Sequence, residues 1–385
     1  MPFTRRAFVK TAGLSGASLL ALSRESFAAF QASASSAALP PPRLLLHNNE
    51  NPLGPGQAVL DALRSQLKDG GPAGRYAFDL AMETTKTIAE RFGAKPENVA
   101  LGCGSTQVLR SAVEVFTSSR KALVSAIPTY EECMDDAELL GRPVRAIPLN
   151  AQMKIDLDAM AEASKGAGLV FVNNPNNPTA TVWSGDAIGA FIDKVLKASP
   201  DTTILFDEAY HDYVTDPTHR TQVPLALKNP RVLVARTFSK AHGMAGMRTG
   251  YVIGMPDTIA KLNAWEDFSY LNTAGLIAAA VSIKDQPRLD AEKARNTEAR
   301  QYTVDWFKAR GCESTDSQGN FIFVNLGQPV RGFREACRKE GVLVARDFPP
   351  YEKSHCRISI GTIEEMKQAT EVFGRALAAV PAKAA

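Results

Sequence analysis

Lys240 stands in the run Arg236-Thr237-Phe238-Ser239-Lys240-Ala241-His242-Gly243-Met244-Ala245-Gly246-Met247-Arg248, directly after an apolar segment. Thr237, Ser239 and Arg248 carry the donors needed to hold a phosphate, the arginine offering paired planar N–H groups. A lysine set among other cations and partly desolvated loses affinity for its proton and becomes an amine nucleophile. An isolated Ser-Lys pair would read as surface; this setting does not.

Three further runs complete a ligand site. Gly102-Cys103-Gly104-Ser105-Thr106-Gln107 precedes a helical pattern over 108–116. Glycines there let backbone approach an anion, and free helix-start amides favour its charge; a plain tight turn is the alternative. Asn174-Pro175-Asn176-Asn177-Pro178-Thr179 fixes its backbone with two prolines and is dense in amides that can point into a crevice. Asp207-Glu208-Ala209-Tyr210 ends an apolar strand. A carboxylate buried there needs a partner, such as a protonated pyridine nitrogen, unless it serves as a helix cap or in a structural ion pair.

The elements that must position these groups are legible as alternation. Short runs at 99–101, 122–127, 144–147, 169–172, 203–206, 232–235 and 251–253 are mostly β-branched or apolar, as in strands covered on both faces. Helical patterns lie between them, for example 187–197, where Ile188, Phe191, Ile192 and Val195 recur at helical spacing. The class is α/β with a mainly parallel sheet, whose ligands gather at strand carboxyl ends. Past residue 285 the texture changes to a long charged helix over 288–310, strands at 321–325 and 357–360, and helices at 333–340 and 364–378. This reads as a smaller α+β domain over 286–385, joined by residues 43–70 and set beside a large domain over 71–285.

Together these residues resemble the fold type I pyridoxal phosphate enzymes, the class I/II aminotransferases, and among them most closely the histidinol-phosphate aminotransferase family. The likeness spans about residues 45–380. It includes Asn49-Glu50-Asn51-Pro52, Arg75-Tyr76, the turn at Gly102, Pro128-Thr129-Tyr130, the asparagine loop, Asp207 to Tyr210, the lysine run, Asn320-Phe321 and Arg357-Ile358-Ser359-Ile360-Gly361-Thr362. The resemblance implies a seven-stranded large domain and pyridoxal 5'-phosphate as cofactor. It implies covalent attachment of Lys240 to the cofactor's aldehyde, with the same lysine later moving the substrate proton. Asp207 would keep the pyridine nitrogen protonated, Asn177 and Tyr210 would bind the phenolic oxygen, and Tyr130 would stack on the ring. Gly104, Ser105, Thr106, Thr237, Ser239 and Arg248 would hold the phosphate, joined by Tyr76 from a neighbouring subunit in a homodimer. Arg357, with Asn51 and Asn177, would bind the substrate, the arginine gripping its anionic group. The implied reaction moves an amino group from an amino acid or amine to a 2-oxo acid with ping-pong kinetics. The alternative is another reaction of the same cofactor at Cα or Cβ: decarboxylation, C–S lysis or racemisation.

The chain departs from that family in Leu53, where a tyrosine is usual, in Ala180, where glycine usually closes the asparagine loop, and in the segment 265–272. These changes weaken the case for a phosphate-bearing substrate.

The leader adds an address. Thr4-Arg5-Arg6-Ala7-Phe8-Val9-Lys10 is followed by a modest apolar stretch over 11–23 and by Ser26-Phe27-Ala28. Basic, apolar and small-residue regions in that order make a signal peptide of the twin-arginine type, with cleavage expected after Ala28. The expected partner is the Tat export machinery, and the expected compartment is periplasmic or extracellular. Residues 29–42, rich in Ala, Ser and Pro, read as a linker.

Composition bounds the rest. With 45% hydrophobic and 22% charged residues the chain is neither disordered nor collagenous. The leader carries Arg5, Arg6, Lys10 and Arg24 against Glu25, which accounts for the whole formal charge of +3. The neutral body gives no drive to bind nucleic acid. No apolar run suits a membrane span, so no stable membrane association is expected. Five cysteines without a C-x-x-C pair, and histidines without ligand spacing, point to no metal site.

Overall fold

The computed structural model describes residues 41–264 and 270–379. The expected leader, most of the linker, and residues 265–269 of the departing segment lie outside the described residues.

Seven strands form the main sheet: β2 (Val99–Gly102), β3 (Leu123–Ile127), β4 (Val144–Pro148), β5 (Leu169–Asn173), β6 (Thr203–Asp207), β7 (Val232–Thr237) and β8 (Gly250–Ile253). Their order is β2-β8-β7-β6-β5-β3-β4. The pairs from β4 to β7 are parallel, while β8 runs antiparallel to both β7 and β2. Alternation inside the apolar runs explains how both faces are filled. Val170, Val172, Ile204, Phe206, Val232 and Val234 face one core. Leu169, Phe171, Leu205, Leu233 and Ala235 face the other.

Amphipathic helices cover both faces. Helix α3 (Ser105–Phe116) and α4 (Glu132–Leu139) bring Val108, Leu109, Ala112, Cys133 and Met134 to the second core. Helix α6 (Gly185–Ala198) turns Ile188, Phe191, Ile192 and Val195 to the first, and Ser184 caps it by accepting the Ala187 amide at 3.2 Å.

A separate apolar core joins β1 (Leu44–Leu46), β9 (Phe321–Asn325), β10 (Val342–Val344) and β11 (His355–Ser359) to helices α10 (Gln286–Lys308), α11 (Val330–Lys339) and α12 (Ile363–Ala379). Here β1 pairs in parallel with β10, and β9 runs antiparallel to β11. The N-terminal segment divides between the cores: Leu44 and Leu46 enter this one, while Val59 of α1 (Gln57–Gln66) packs into the first core of the large sheet. Among the described residues no helix is long and apolar enough to cross a membrane.

Candidate active site

The carboxyl ends of β5, β6 and β7 and the start of α3 converge on one cavity of about 520 Å³. Ser105, Thr106, Tyr130, Asn177, Asp207, Tyr210, Thr237, Ser239, Lys240, Arg248 and Arg357 all line it. The four runs singled out by residue type are therefore gathered at one place.

Lys240 sits just beyond β7. Its Nζ donates to the Asn48 carbonyl at 2.9 Å and lies 5.8 Å from the Tyr210 ring centre. Burial, reinforced by the Arg357 cation, lowers its pKa to about 8. Asp207 is the last residue of β6 and is 3% exposed. One carboxylate oxygen accepts the Ala209 amide at 3.0 Å. That contact and Lys240 only partly offset burial, which raises the Asp207 pKa to about 7. A buried acid facing a cavity in this state is stabilised by any cation placed opposite it.

The anion cradle lies at the other end. Gly104 precedes α3 at φ 78°, ψ 163°, with no side chain capping the helix start. The first amides of α3 are thus open to the cavity side. A Cβ on Gly104 would run into the Arg248 guanidinium, its Cζ at 3.0 Å, and one on Gly250 would strike the Ser105 backbone. Arg248, itself in the left-handed region at φ 49°, donates to the Ala245 carbonyl at 2.9 Å and to Ser239 Oγ at 3.5 Å. Thr237 Oγ1 accepts the Ser239 amide at 3.1 Å. Bare backbone amides, two hydroxyls and a guanidinium around one space form a phosphate seat.

Arg357 comes from β11, on the smaller core. Its Nη1 donates to Asn177 Oδ1 at 2.7 Å and its Nη2 to the His47 carbonyl, while the buried Nε has no partner. The rings of Phe348 and Phe321 lie 5.0 and 5.7 Å from its guanidinium carbon. Burial lowers its pKa to about 10, so it stays charged at neutral pH. Tyr130 hydrogen-bonds Thr106 at 3.3 Å, and Tyr210, packed edge-on against Phe321, has its phenol pushed up to about 12 by burial.

Three named residues fall outside the lining, and Gly104 is one of them, set behind the Arg248 guanidinium at the start of α3. Asn51 does not line this cavity: its amide donates to the Ala241 carbonyl at 3.0 Å and its Oδ1 accepts the Leu53 amide at 3.0 Å, so it braces backbone. Tyr76 is also outside the lining and is 78% exposed, stacked loosely on Phe78. Ala180, in the place of a usual glycine, adopts φ 57° and is fully buried, so the loop keeps a left-handed turn despite the methyl group.

Several lining residues carried no sequence signal strong enough to name them. Asn173 receives the Asn177 amide at 2.9 Å and donates to the Asp207 carbonyl at 3.1 Å, tying the asparagine loop to β6. An amide ending a buried strand was the available sign. Glu131, Glu132, Asp135, Arg346 and Phe348 also line the cavity, beside Asn49 and Glu50 of the Asn49-Glu50-Asn51-Pro52 run. Arg346 and Phe348 follow β10 with no motif around them.

The aminotransferase class I and II family profile matches residues 41–373. The histidinol-phosphate aminotransferase of Symbiobacterium thermophilum is 32% identical over 333 residues, covering 86% of this chain and 90% of that protein. Histidinol-phosphate aminotransferase 2 of Methylococcus capsulatus is 34% identical, with 83% and 86% covered. Among solved structures, one from Erwinia carotovora atroseptica superposes with a TM-score of 0.82 at 29% identity, covering 87% of this chain and 95% of that one. Histidinol-phosphate aminotransferase from Sinorhizobium meliloti, in complex with pyridoxal-5'-phosphate, shares the fold with a TM-score of 0.81 at 24% identity, covering 88% and 91%. By sequence and by fold, the chain belongs to the aminotransferase class I and II family.

Proposed function

We propose that this chain, a pyridoxal phosphate-dependent aminotransferase related to the histidinol-phosphate aminotransferases, acts on an amino acid or amine that carries no phosphate, and passes its amino group to a 2-oxo acid. The observation that carries the aminotransferase reading is Lys240: a half-buried amine whose pKa is lowered to about 8, lining one cavity with a buried acid and a phosphate seat.

The residues present fit the cofactor. The cradle at Gly104 has room only because no Cβ stands there, and Asp207 lacks the cation that a protonated ring nitrogen would supply. Gly104, Ser105, Thr106, Thr237, Ser239 and Arg248 would hold its phosphate. Bound there, pyridoxal phosphate supplies an electron sink that makes the substrate Cα–H acidic. Asp207 would hold a proton on the cofactor's ring nitrogen. Lys240 would be the group that takes and returns the substrate proton. Tyr130 and Asn177, both in the lining, would contact the cofactor's ring. Arg357, with its unpartnered Nε, grips the substrate carboxylate.

The charge around the mouth supports a donor without phosphate. Of the lining cations, Lys240 and Arg248 serve the cofactor, and Arg346 is already bonded to Glu131. Glu131, Glu132 and Asp135 face the same space, and burial together with Glu131 raises the Asp135 pKa. With Glu131 paired to Arg346 and Glu132 near Arg110, Asp135 is the acid of that wall that a dianionic phosphate would meet as like charge. Export through the twin-arginine route, also our reading, would separate the enzyme from phosphorylated biosynthetic intermediates. The exposed Tyr76, Phe78 and Met82 suit burial in a homodimer, with Tyr76 reaching the partner's phosphate seat.

Borohydride reduction of the cofactor-loaded protein followed by peptide mapping should label Lys240. Amines and amino acids should then be offered with and without a 2-oxo acid. Multiple turnover that requires the acceptor supports transamination, and more than one equivalent of product formed without it would reject it. A clear preference for histidinol phosphate over every free amino acid would reject the donor assignment.

A further inference from the structure

Asn49 lies on an N-terminal segment far in sequence from the strands that carry the chemistry, yet it is 1% exposed and lines the cavity. Its Nδ2 donates to the Tyr210 hydroxyl at 3.1 Å. Ser359, at the end of β11, holds it from the other side: Ser359 Oγ accepts the Asn49 backbone amide at 2.8 Å and donates to Asn49 Oδ1 at 2.8 Å. Asn320 Nδ2 clamps the Asn49 carbonyl at 3.0 Å. The backbone of Asn49 is left-handed, φ 55°, a conformation that asparagine tolerates better than other side chains with a Cβ.

This network decides which way the Tyr210 proton points. Ser359 is buried, and Asn49 Oδ1 takes its proton. Reversing the Asn49 amide would leave that proton facing an N–H₂ group, so the carboxamide nitrogen faces Tyr210. A carboxamide nitrogen only donates. The phenol therefore accepts from Asn49 and must spend its own proton elsewhere, and the cavity is the open side.

We propose that Asn49, fixed by Ser359, is a positioning residue that turns the Tyr210 hydroxyl proton into the cavity, toward the anionic ring oxygen of bound pyridoxal phosphate. The inference rests on the cofactor reading above. Its consequence is spectroscopic: a donated hydrogen bond stabilises the ring oxygen's anion and so favours loss of the proton it shares with the neighbouring nitrogen. The pH midpoint of the bound cofactor's visible absorbance is thereby held low.

The test is a pH titration of that absorbance in the full-length holoprotein for wild type, Asn49→Asp, Ser359→Ala, Tyr210→Phe and the two double variants with Tyr210→Phe. In Asn49→Asp the carboxylate captures the phenol proton, and the midpoint should rise by about one to two pH units, the scale of one lost hydrogen bond to an anion. Ser359→Ala should give a smaller rise. Both rises should fall below about a third of their size in the Tyr210→Phe background, because the path runs through that phenol. Equal shifts with and without Tyr210 would assign the effect to the new charge alone and overturn the proposal, as would an unmoved midpoint in Asn49→Asp. Should Asn49→Asp fail to fold, Ser359→Ala carries the same comparison, and its unmoved midpoint would be decisive. A wild type that binds no cofactor and leaves Lys240 unlabelled would sink the aminotransferase reading and this inference with it. A normal wild-type band with equal shifts sinks this inference alone.

Discussion

Replacing Gly104 with alanine places a methyl group at the most crowded point of the phosphate seat. At φ 78°, ψ 163° the backbone occupies a region that only glycine adopts readily, and strain there costs about 1–3 kcal/mol. The new Cβ would also meet the Arg248 guanidinium, whose Cζ lies 3.0 Å away. Arg248 can retreat only by leaving Ser239 and the cradle. Losing its charge-assisted contact with a phosphate costs about 1.5–3 kcal/mol. At 1.4 kcal/mol per tenfold, that is a loosening of pyridoxal phosphate by about 10- to 150-fold. The assay is an absorbance titration of apoprotein with the cofactor, beside a thermal melt. Arg248→Lys is the control, predicted to loosen the cofactor without the drop in melting temperature that backbone strain produces. A Gly104→Ala protein that binds cofactor as tightly as wild type and melts at the same temperature would show that neither the clash nor the strain is real.

Capture of the cofactor needs an unprotonated amine, so the attachment rate should rise with pH to a midpoint near 8 rather than near the ordinary lysine value of 10.5, as read by stopped-flow absorbance. In the apoprotein the Asp207 carboxyl is raised from 3.8 to about 7, so the stability it contributes is present below about pH 4 and is lost as pH rises to about 7; Asp207→Asn should flatten that part of a urea-denaturation pH series. Glu208, 2% exposed, binds Arg236 at 2.7 Å together with Thr221 and the Gln222 amide. Glu208→Ala leaves the arginine buried without its partner and should lower unfolding free energy by about 3–5 kcal/mol, whereas replacing both residues with apolar ones should recover most of that loss. If the leader follows the twin-arginine route, changing Arg5 and Arg6 to lysine should hold the protein in the cytoplasmic fraction, and an unchanged distribution would reject that route.

The main sheet was legible because its inner strands are covered on both faces and so are nearly continuous apolar runs, each starting or ending within a residue or two of its expected place; the edge strand β4, with Arg145 inside it, is not covered in this way. The direction of β8 was not, since an apolar run between polar loops reads the same in either sense. Strand β1 was equally silent: Leu44 to Leu46 is three residues long, and its partner Val342 to Val344 lies nearly the whole chain away. Local pattern cannot report such a pairing. In the site, Lys240 and Asp207 stood out because charge at the end of a buried strand is costly and conspicuous, and Arg248 because it stands among glycines eight residues after Lys240. Asn49 had no such mark, because its importance comes from the hydroxyls of Tyr210 and Ser359, both remote in sequence. Asn51 came into the site only through the family resemblance, and in this structure its side chain braces the Ala241 carbonyl.

The single reversed strand has a further consequence. Because β8 lies next to β7 and runs against it, no crossover helix is needed between them, and residues 238–249 make the whole connection. Covalent tether and phosphate anchor thus share one short strap stitched to the sheet at both ends, and the spacing between them is a property of that strap alone. Arg357 and Asn49 arrive from a different core. Evolution can therefore retune which amine is admitted by altering one part of the molecule while the coenzyme's berth stays as it was.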